Sequence, residues 1–442
     1  MDLVVFKRGL ERQFNYRRFF KMGDHSKRIL LSAFACEPGR GSEQEVGWKW
    51  AVELAKRPEI VDVIVLTQTR NRPGITSWLE RPEYQNLPLR FEYVQFPEPI
   101  YRLKSRFDFL TMPYYAAWQW LALGKARELH AVRPFNLVHH LTFATFRIPI
   151  WMKRLGIPVV MGPVGGAERA PWALLRHRAR PRVYLREALR NILTGFGTLT
   201  LRLLPPLGRE QGLCLATTPR MGQIFDSLGS ACQLFPTIGV DMDTSPPALR
   251  EEGAVARRFL FVGRLHFLKG LQLLLDAFAR VEISGLELSL VGDGPEEIWL
   301  RRQAAELRIE DRVHFLGRIP REQLAEIYRE HDVICGPSMY ESGGLSVIEG
   351  MEHGLPAVVL DVGGHAVSVT CACGIKVVAN GPAETAIAGL ADALRRYASD
   401  SGLFREHSEA ARSRVEEVYD WRVKVPRMVR TYDEVLGRRT KR

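Results

Sequence analysis

Two short segments carry the residues best suited to chemistry. Glu341-Ser342-Gly343-Gly344-Leu345-Ser346-Val347-Ile348-Glu349 follows the apolar run HDVICGPS at 331–338 and precedes a helical stretch ending before Gly354-Leu355-Pro356. Gly343 and Gly344 allow a tight turn, and the helix after them offers free backbone N–H groups to an anion. Glu349, one to two turns into that helix, is spaced to accept hydrogen bonds from a ribose diol. A solvated glutamate and a plain turn are the alternative for these residues. The second segment is Val262-Gly263-Arg264, with Lys269-Gly270 shortly after it. Arg264 and Lys269 would supply countercharge to a diphosphate, Arg as a bidentate fork and Lys as a point charge. A third loop, Glu37-Pro38-Gly39-Arg40-Gly41-Ser42-Glu43, could bring backbone close to a ligand. Neither it nor VGDGPEE at 291–297 fits GxGxxG or GxxxxGK[ST], which argues against NAD- and ATP-type loops.

These loops need elements to hold them, and the chain supplies two series of short apolar runs separated by helical stretches. The first is 28–35, 61–68, 89–96, 136–142, 157–164 and 212–219; the second is 258–264, 286–294, 312–318, 331–338, 356–364 and 374–380. Runs of this length, apolar on both faces, predict βαβ units in parallel sheets. Two series predict two doubly wound α/β domains. Such sheets bind ligands beyond the carboxyl ends of their strands, so a cleft between facing domains is the expected site. The boundary is expected near 240–254, in the aperiodic GVDMDTSPPALREEG. The organisation predicted is a basic extension at 1–25, a first domain at 26–240, a second at 254–414 and a tail at 415–442. That tail reads as one or two helices interrupted at Pro426.

Composition narrows the class. The 442 residues hold 46% hydrophobic and 25% charged side chains, as an ordinary globular protein does. No apolar run reaches the roughly 18–20 residues of a spanning helix. Six scattered cysteines make neither a disulfide scaffold nor a paired CxxC zinc site, and a reducing cytoplasm fits best. The first 20 residues lack a signal-peptide core, and Met22 is a plausible alternative start. The net charge of +12 is unevenly placed: residues 169–209 hold nine Arg against Glu187 alone, and residues 1–28 carry a net +5. The remaining body is close to neutral. That distribution, with no accompanying motif, excludes a nucleic-acid binder.

The motifs in combination resemble a known family. VGR-x4-KG, VGDGP, FLGRIPREQLAEIYREHDV at 315–333 and ExGGLxxxEGMxHGLP from Glu341 to Pro356 resemble the carboxyl half of glycosyltransferase family 4, the glycosyl transferases group 1. The resemblance is strong over 258–366. It reaches the first domain more loosely, through ACEPGRGSE at 35–43, the histidine pair and GPVGG at 162–166. It implies a GT-B fold, with two Rossmann-like domains facing across a cleft and a final helix crossing back to the first. It implies a retaining, metal-independent enzyme that uses a nucleotide sugar as substrate and needs no cofactor.

Residue by residue, the resemblance implies that Arg264 and Lys269 neutralise the donor diphosphate, assisted by backbone around Gly343, Gly344, Leu345 and Ser346. Glu341 would hold the transferred sugar's hydroxyls and Glu349 the ribose. The base would rest near Arg318 and Ile319, and Gly41-Ser42 would approach the phosphates from the first domain. An active-site histidine is implied after the strand NLVHHLT. The family separates two histidines by one residue, whereas His139 and His140 are adjacent, leaving two candidates with His140 preferred. Thr237-Ile238-Gly239-Val240-Asp241 also departs from the family's Pro-Asn-Gly-Val-Asp. No DxD-like pair occupies a donor loop; Asp241 and Asp243 fall in the linker.

The Arg-rich segment 169–209 interleaves basic and apolar residues at partly helical spacing, which suits an anionic bilayer or a lipid phosphate. The aromatic stretch 107–124 would extend that surface. The alternative is a surface helix pair whose leucines face the core. The expectation is a peripheral enzyme on the inner face of the cytoplasmic membrane, glycosylating a lipid-linked or glycan acceptor. A soluble sucrose- or glycogen-type synthase, a sugar-nucleotide epimerase of the same fold and a non-catalytic nucleotide-sugar-binding subunit are the competing readings.

Overall fold

The structure, a computed structural model, describes residues 26–107, 110–200, 207–242 and 253–440; the side chains of Ser42, 196–200 and 439–440 are outside that description. The basic extension 1–25 and most of the Pro-rich linker, 243–252, also lie outside the described residues.

Every apolar run of both series forms a strand. In the first domain these are β1 (Lys27–Ala33), β2 (Ile60–Thr67), β3 (Leu89–Tyr93), β4 (Leu137–Thr142), β5 (Val159–Val164) and β6 (Gly212–Ala216). A short edge strand, β7 (Cys232–Leu234), joins them. The second domain holds β8 (Arg258–Val262), β9 (Glu287–Val291), β10 (Val313–Gly317), β11 (Val333–Gly336), β12 (Ala357–Leu360) and β13 (Gly374–Val377). The sheet orders are β3-β2-β1-β4-β5-β6-β7 and β10-β9-β8-β11-β12-β13. All the ladders run parallel, as strands buried on both faces require.

Helices cover both faces of each sheet. The first sheet has one core against the helices Ser42–Ala55 and Trp421–Thr440, built around Trp48, Trp50, Met428 and Tyr432. Its opposite face packs Phe34, Tyr115 and Trp118 on the helix Thr111–Val132. The chain leaves the second domain after the helix Ser401–Val418, so the return begins at Trp421 and not at 415. The returning segment is a single helix, Trp421–Thr440, with Pro426 inside it. Lys424, sealed by Trp50, Phe235 and Trp421, donates to the carbonyls of Pro236 and Ile238 and fixes that crossing.

The Arg-rich segment departs from a simple membrane-facing helix. Its first helix, Trp172–Arg176, buries Leu174 and Leu175 completely in the core of the second domain. Full burial of one leucine contributes about 1.5–3 kcal/mol, so this is an anchor between domains. The following cations meet carboxylates of the other domain. Arg178 grips Asp276 through Nε and Nη2, both at 2.9 Å, while His177 Nε2 lies 2.6 Å from the same carboxylate. Arg180 pairs with Glu296. Within the segment, Arg186 and Arg190 lie 2.9 and 2.8 Å from Glu187. Much of the positive charge counted in the sequence is therefore neutralised locally. The longer helix Pro181–Thr200 still exposes Leu185, Leu189, Ile192 and Leu193, at one-sided helical spacing.

Candidate active site

The carboxyl ends of the strands of both sheets open onto a cleft of about 720 Å³. The second domain contributes Tyr340–Leu345, Glu349, Glu352 and Arg321; the first contributes Glu43, Glu45, Lys49, Phe143–Thr145, Gly165–Gly166 and Thr217. Thr237–Asp241 and Trp421 close it along the crossing.

The geometry starts from the glycine turn. Gly344 adopts φ 70° and heads the helix Leu345–Glu352. A Cβ at Gly344 would lie 2.6 Å from the ring of His365, so only glycine makes this turn against that neighbour. Val347 and Ile348 donate to the Gly344 carbonyl, while the N–H groups of Leu345 and Ser346 belong to the first turn, where a helix supplies no acceptor. His365 is buried behind the turn, and its Nδ1 has no hydrogen-bond partner among the described residues. Burial drives its pKa down to about 4, so it is a neutral wall and not a cation.

Glu341 sits where the turn begins. One oxygen, Oε2, lies 2.7 Å from Lys269 Nζ; the other, Oε1, accepts from the backbone N–H groups of Ser342 and Gly343 at 3.1 and 3.4 Å. Burial acts to raise its pKa, but the Lys269 charge, with the Lys269 hydrogen bond and one from the Gly344 backbone, brings it down to about 2. Glu341 is ionised throughout the physiological range. Glu349 behaves in the opposite way. Burial raises its pKa, partly offset by Arg321 at 3.8 Å and by the Tyr328 hydroxyl, which donates at 3.1 Å. The site thus combines a cation, backbone donors and two separately tuned carboxylates beside one cavity.

The predicted residues divide into three groups. Glu341, Gly343, Gly344, Leu345 and Glu349 line the cleft, and Lys269 joins them through Glu341. Arg264, exposed just beyond β8, Arg318 and Ile319, just beyond β10, and Ser346 lie around it without lining it. Gly41 (φ 67°) caps the helix whose residues Glu43 and Glu45 reach the cavity, while the Ser42 side chain is outside the described residues.

The histidines are a correction. His139 and His140 occupy consecutive positions of β4 and so point to opposite faces of the sheet. Both faces are covered. His139 Nε2 donates to the Gly162 carbonyl and Nδ1 accepts from Tyr432, each at 2.7 Å. His140 shares hydrogen bonds with Tyr115 at 2.7 Å and Ser32 at 3.0 Å. Burial lowers their pKa values to about 4 and about 3, and neither lines the cleft. The residues that do reach it from this strand are the next three, Phe143, Ala144 and Thr145. Their position at a strand's carboxyl edge was the available signal. Tyr340, under the Arg190 guanidinium at 4.0 Å, and Arg321, 3.8 Å from Glu349, also follow strand ends, but their residue types alone did not single them out.

Two parallel sheets facing across a cleft, with a last helix returning to the first sheet, define the GT-B class of glycosyltransferase fold. Residues 251–414 match the model of the glycosyl transferases group 1. A glycogen synthase of Mycobacterium tuberculosis is 30% identical over 185 residues, which cover 41% of this chain and 44% of the relative. The chain thus spans less than half the length of that relative. Sucrose-phosphate synthase from Thermosynechococcus elongatus superposes with a TM-score of 0.60 at 20% identity, covering 93% of this chain and 99% of the other. Anabaena Alr3699/HepE in complex with UDP-glucose gives 0.54 at 17% identity, again over 93% and 99%.

Proposed function

We propose that the protein transfers a hexose-type sugar from a UDP- or GDP-sugar to an acceptor hydroxyl with retention of configuration and without a metal. The observation that carries this reading is the Lys269–Glu341 pair set on the Gly343-Gly344 turn at the head of a helix. In the reaction, the acceptor oxygen bonds to the anomeric carbon while the bond to the departing diphosphate oxygen breaks. Charge grows on that diphosphate, where Lys269, Arg264 and the first-turn amides stabilise it; one such preorganised donor is worth about 3–4 kcal/mol. Glu341, held ionised and hydrogen-bonded, orients sugar hydroxyls. Glu349 takes the ribose hydroxyls, and the base rests by Arg318 and Ile319. The acceptor hydroxyl's proton passes to the leaving phosphate on the same face.

The acceptor we propose is lipid-linked or a glycan, met at the inner face of the cytoplasmic membrane. Supporting this, Leu185, Leu189, Ile192 and Leu193 are exposed beside Arg182 and Arg186. No described helix is long and apolar enough to cross a membrane. A soluble synthase acting on a sugar or polysaccharide is the second reading. It is favoured by the ion pairs that tie Arg178 and Arg180 to the second domain and remove them from a lipid-facing surface.

A thermal-shift panel of UDP-, GDP- and ADP-sugars identifies the donor, since a ligand at 100 times its Kd stabilises by about 2.7 kcal/mol. Product analysis with and without a membrane extract follows. Stabilisation by none of the nucleotide sugars overturns the reading. Flotation with anionic vesicles that is absent, and unchanged by neutralising Arg182 and Arg186, eliminates the membrane acceptor in favour of the soluble synthase.

A further inference from the structure

Phe143 is one of three non-glycine residues with positive φ among the described residues, at φ 54°. A side chain in the left-handed region costs about 1–2 kcal/mol, so something must hold it there. It follows β4 directly, and the segment Phe143–Thr145 forms part of the cleft wall opposite Glu341 and Ser342. Two contacts hold it. The ring packs edge-on against Phe34 at 4.7 Å and tilted against Tyr115 at 5.5 Å. Its backbone N–H donates to Oε1 of Glu43, a residue one hundred positions earlier in the chain.

Glu43 is placed for this by its own loop. Gly41 at φ 67° starts the helix Ser42–Ala55, and Glu43 stands in its first turn. Glu45, two residues on, turns the other way and accepts from the Gly39 N–H at 2.6 Å, closing the loop on itself. Of these two glutamates, one shapes its own loop and the other spans to a different strand. Glu43 lines the cleft from an exposed position, and its pKa is raised, by desolvation first, against the pull of the Phe143 N–H.

We propose that Glu43 is a positioning residue of the glycosyl-transfer site, holding Phe143 in its left-handed conformation so that the backbone of Phe143–Thr145 forms the first-domain wall against the transferred sugar. Glu43 acts through Phe143, and does not exchange protons with substrate. This deepens the proposed function and rests on it.

The test uses the full chain with UDP-glucose as donor probe and UDP as binding probe. Glu43→Ala lowers kcat about tenfold to a hundredfold, the usual range for losing a hydrogen bond to a charged group. Its KM for UDP-glucose and its Kd for UDP stay within about threefold, because the donor domain is untouched. Glu43→Gln keeps an acceptor oxygen and recovers to within about threefold of wild type. The decisive comparison is the cycle with Phe143→Gly, in which glycine takes the same φ without strain. In that background Glu43→Ala costs less than about threefold. An equal loss in both backgrounds, or a Glu43→Gln variant as impaired as Glu43→Ala, overturns the proposal. Wild-type protein that neither binds UDP nor turns over UDP-glucose instead counts against a UDP-sugar donor, a different failure. Unfolding temperature, measured for each variant, separates misfolding from loss of positioning.

Discussion

Replacing Lys269 by Met isolates the electrostatic centre of the cleft. Glu341 moves from an ordinary 4.5 to about 2 in the folded protein. At about 1.4 kcal/mol per pKa unit, that net depression corresponds to about 3.5 kcal/mol before screening. Lys269 keeps 30% of its side chain in solvent and Glu341 16%, so screening reduces the expected cost to about 1–3 kcal/mol at pH 7. The pH dependence gives a sharper signature. A depressed carboxylate contributes its full stability above 4.5 and loses it as pH falls through about 2. Without Lys269, burial is the leading influence and raises the Glu341 pKa, so the folded variant binds its proton more readily than the unfolded chain. The deficit relative to wild type is therefore largest at neutral pH and narrows toward pH 3. Urea unfolding at pH 7, 5 and 3.5 measures this, and hydrogen exchange at the Ser342 and Gly343 amides localises it. Adding Glu341→Gln to Lys269→Met should recover at least half of the loss. A deficit independent of pH, or no recovery in the double variant, refutes the argument.

The histidine pair should register in stability and not in the pH-rate profile. Both folded pKa values lie below 6.5, so the unfolded chain binds protons first, and wild-type stability falls as pH drops from 6.5 toward 4. The slope reaches about 1.4 kcal/mol per pH unit for each histidine, and His139→Gln with His140→Gln flattens it in urea titrations. Leu174→Ala leaves a cavity where the Arg-rich segment enters the second domain and costs about 2–5 kcal/mol, read by thermal unfolding, with a larger radius of gyration in solution scattering. Gly344→Ala places a Cβ against His365 at positive φ and should weaken UDP binding more than tenfold by calorimetry. Gly124→Ala, in a helix with nothing within 4 Å, should leave binding intact and stabilise slightly.

The amino-acid sequence by itself determined everything that depends on local period and local backbone freedom. Twelve of the thirteen strands were legible as apolar runs, because a parallel strand covered on both faces must be apolar along its whole length. The three-residue β7 is too short to carry such a signal. The glycine turn, Glu341, Glu349 and Lys269 could each be singled out because they lie just beyond the carboxyl ends of strands, although the meeting of Lys269 with Glu341, 72 residues apart, was decided by the fold. Tertiary structure decided what depends on which groups meet across long separations. The histidines carried the right residue type in the right strand, yet the helices on both faces, with Tyr432 and Tyr115, sealed them away from the cleft. The nine arginines of 169–209 read as a surface charge until Asp276 and Glu296, about a hundred residues away in sequence, were seen to pair with two of them. Glu43 likewise acquired its role only when β4 brought the Phe143 N–H to it. Local pattern specifies an element and its exposed loop, whereas pairing and burial are properties of the packed domains and have no local sequence signature.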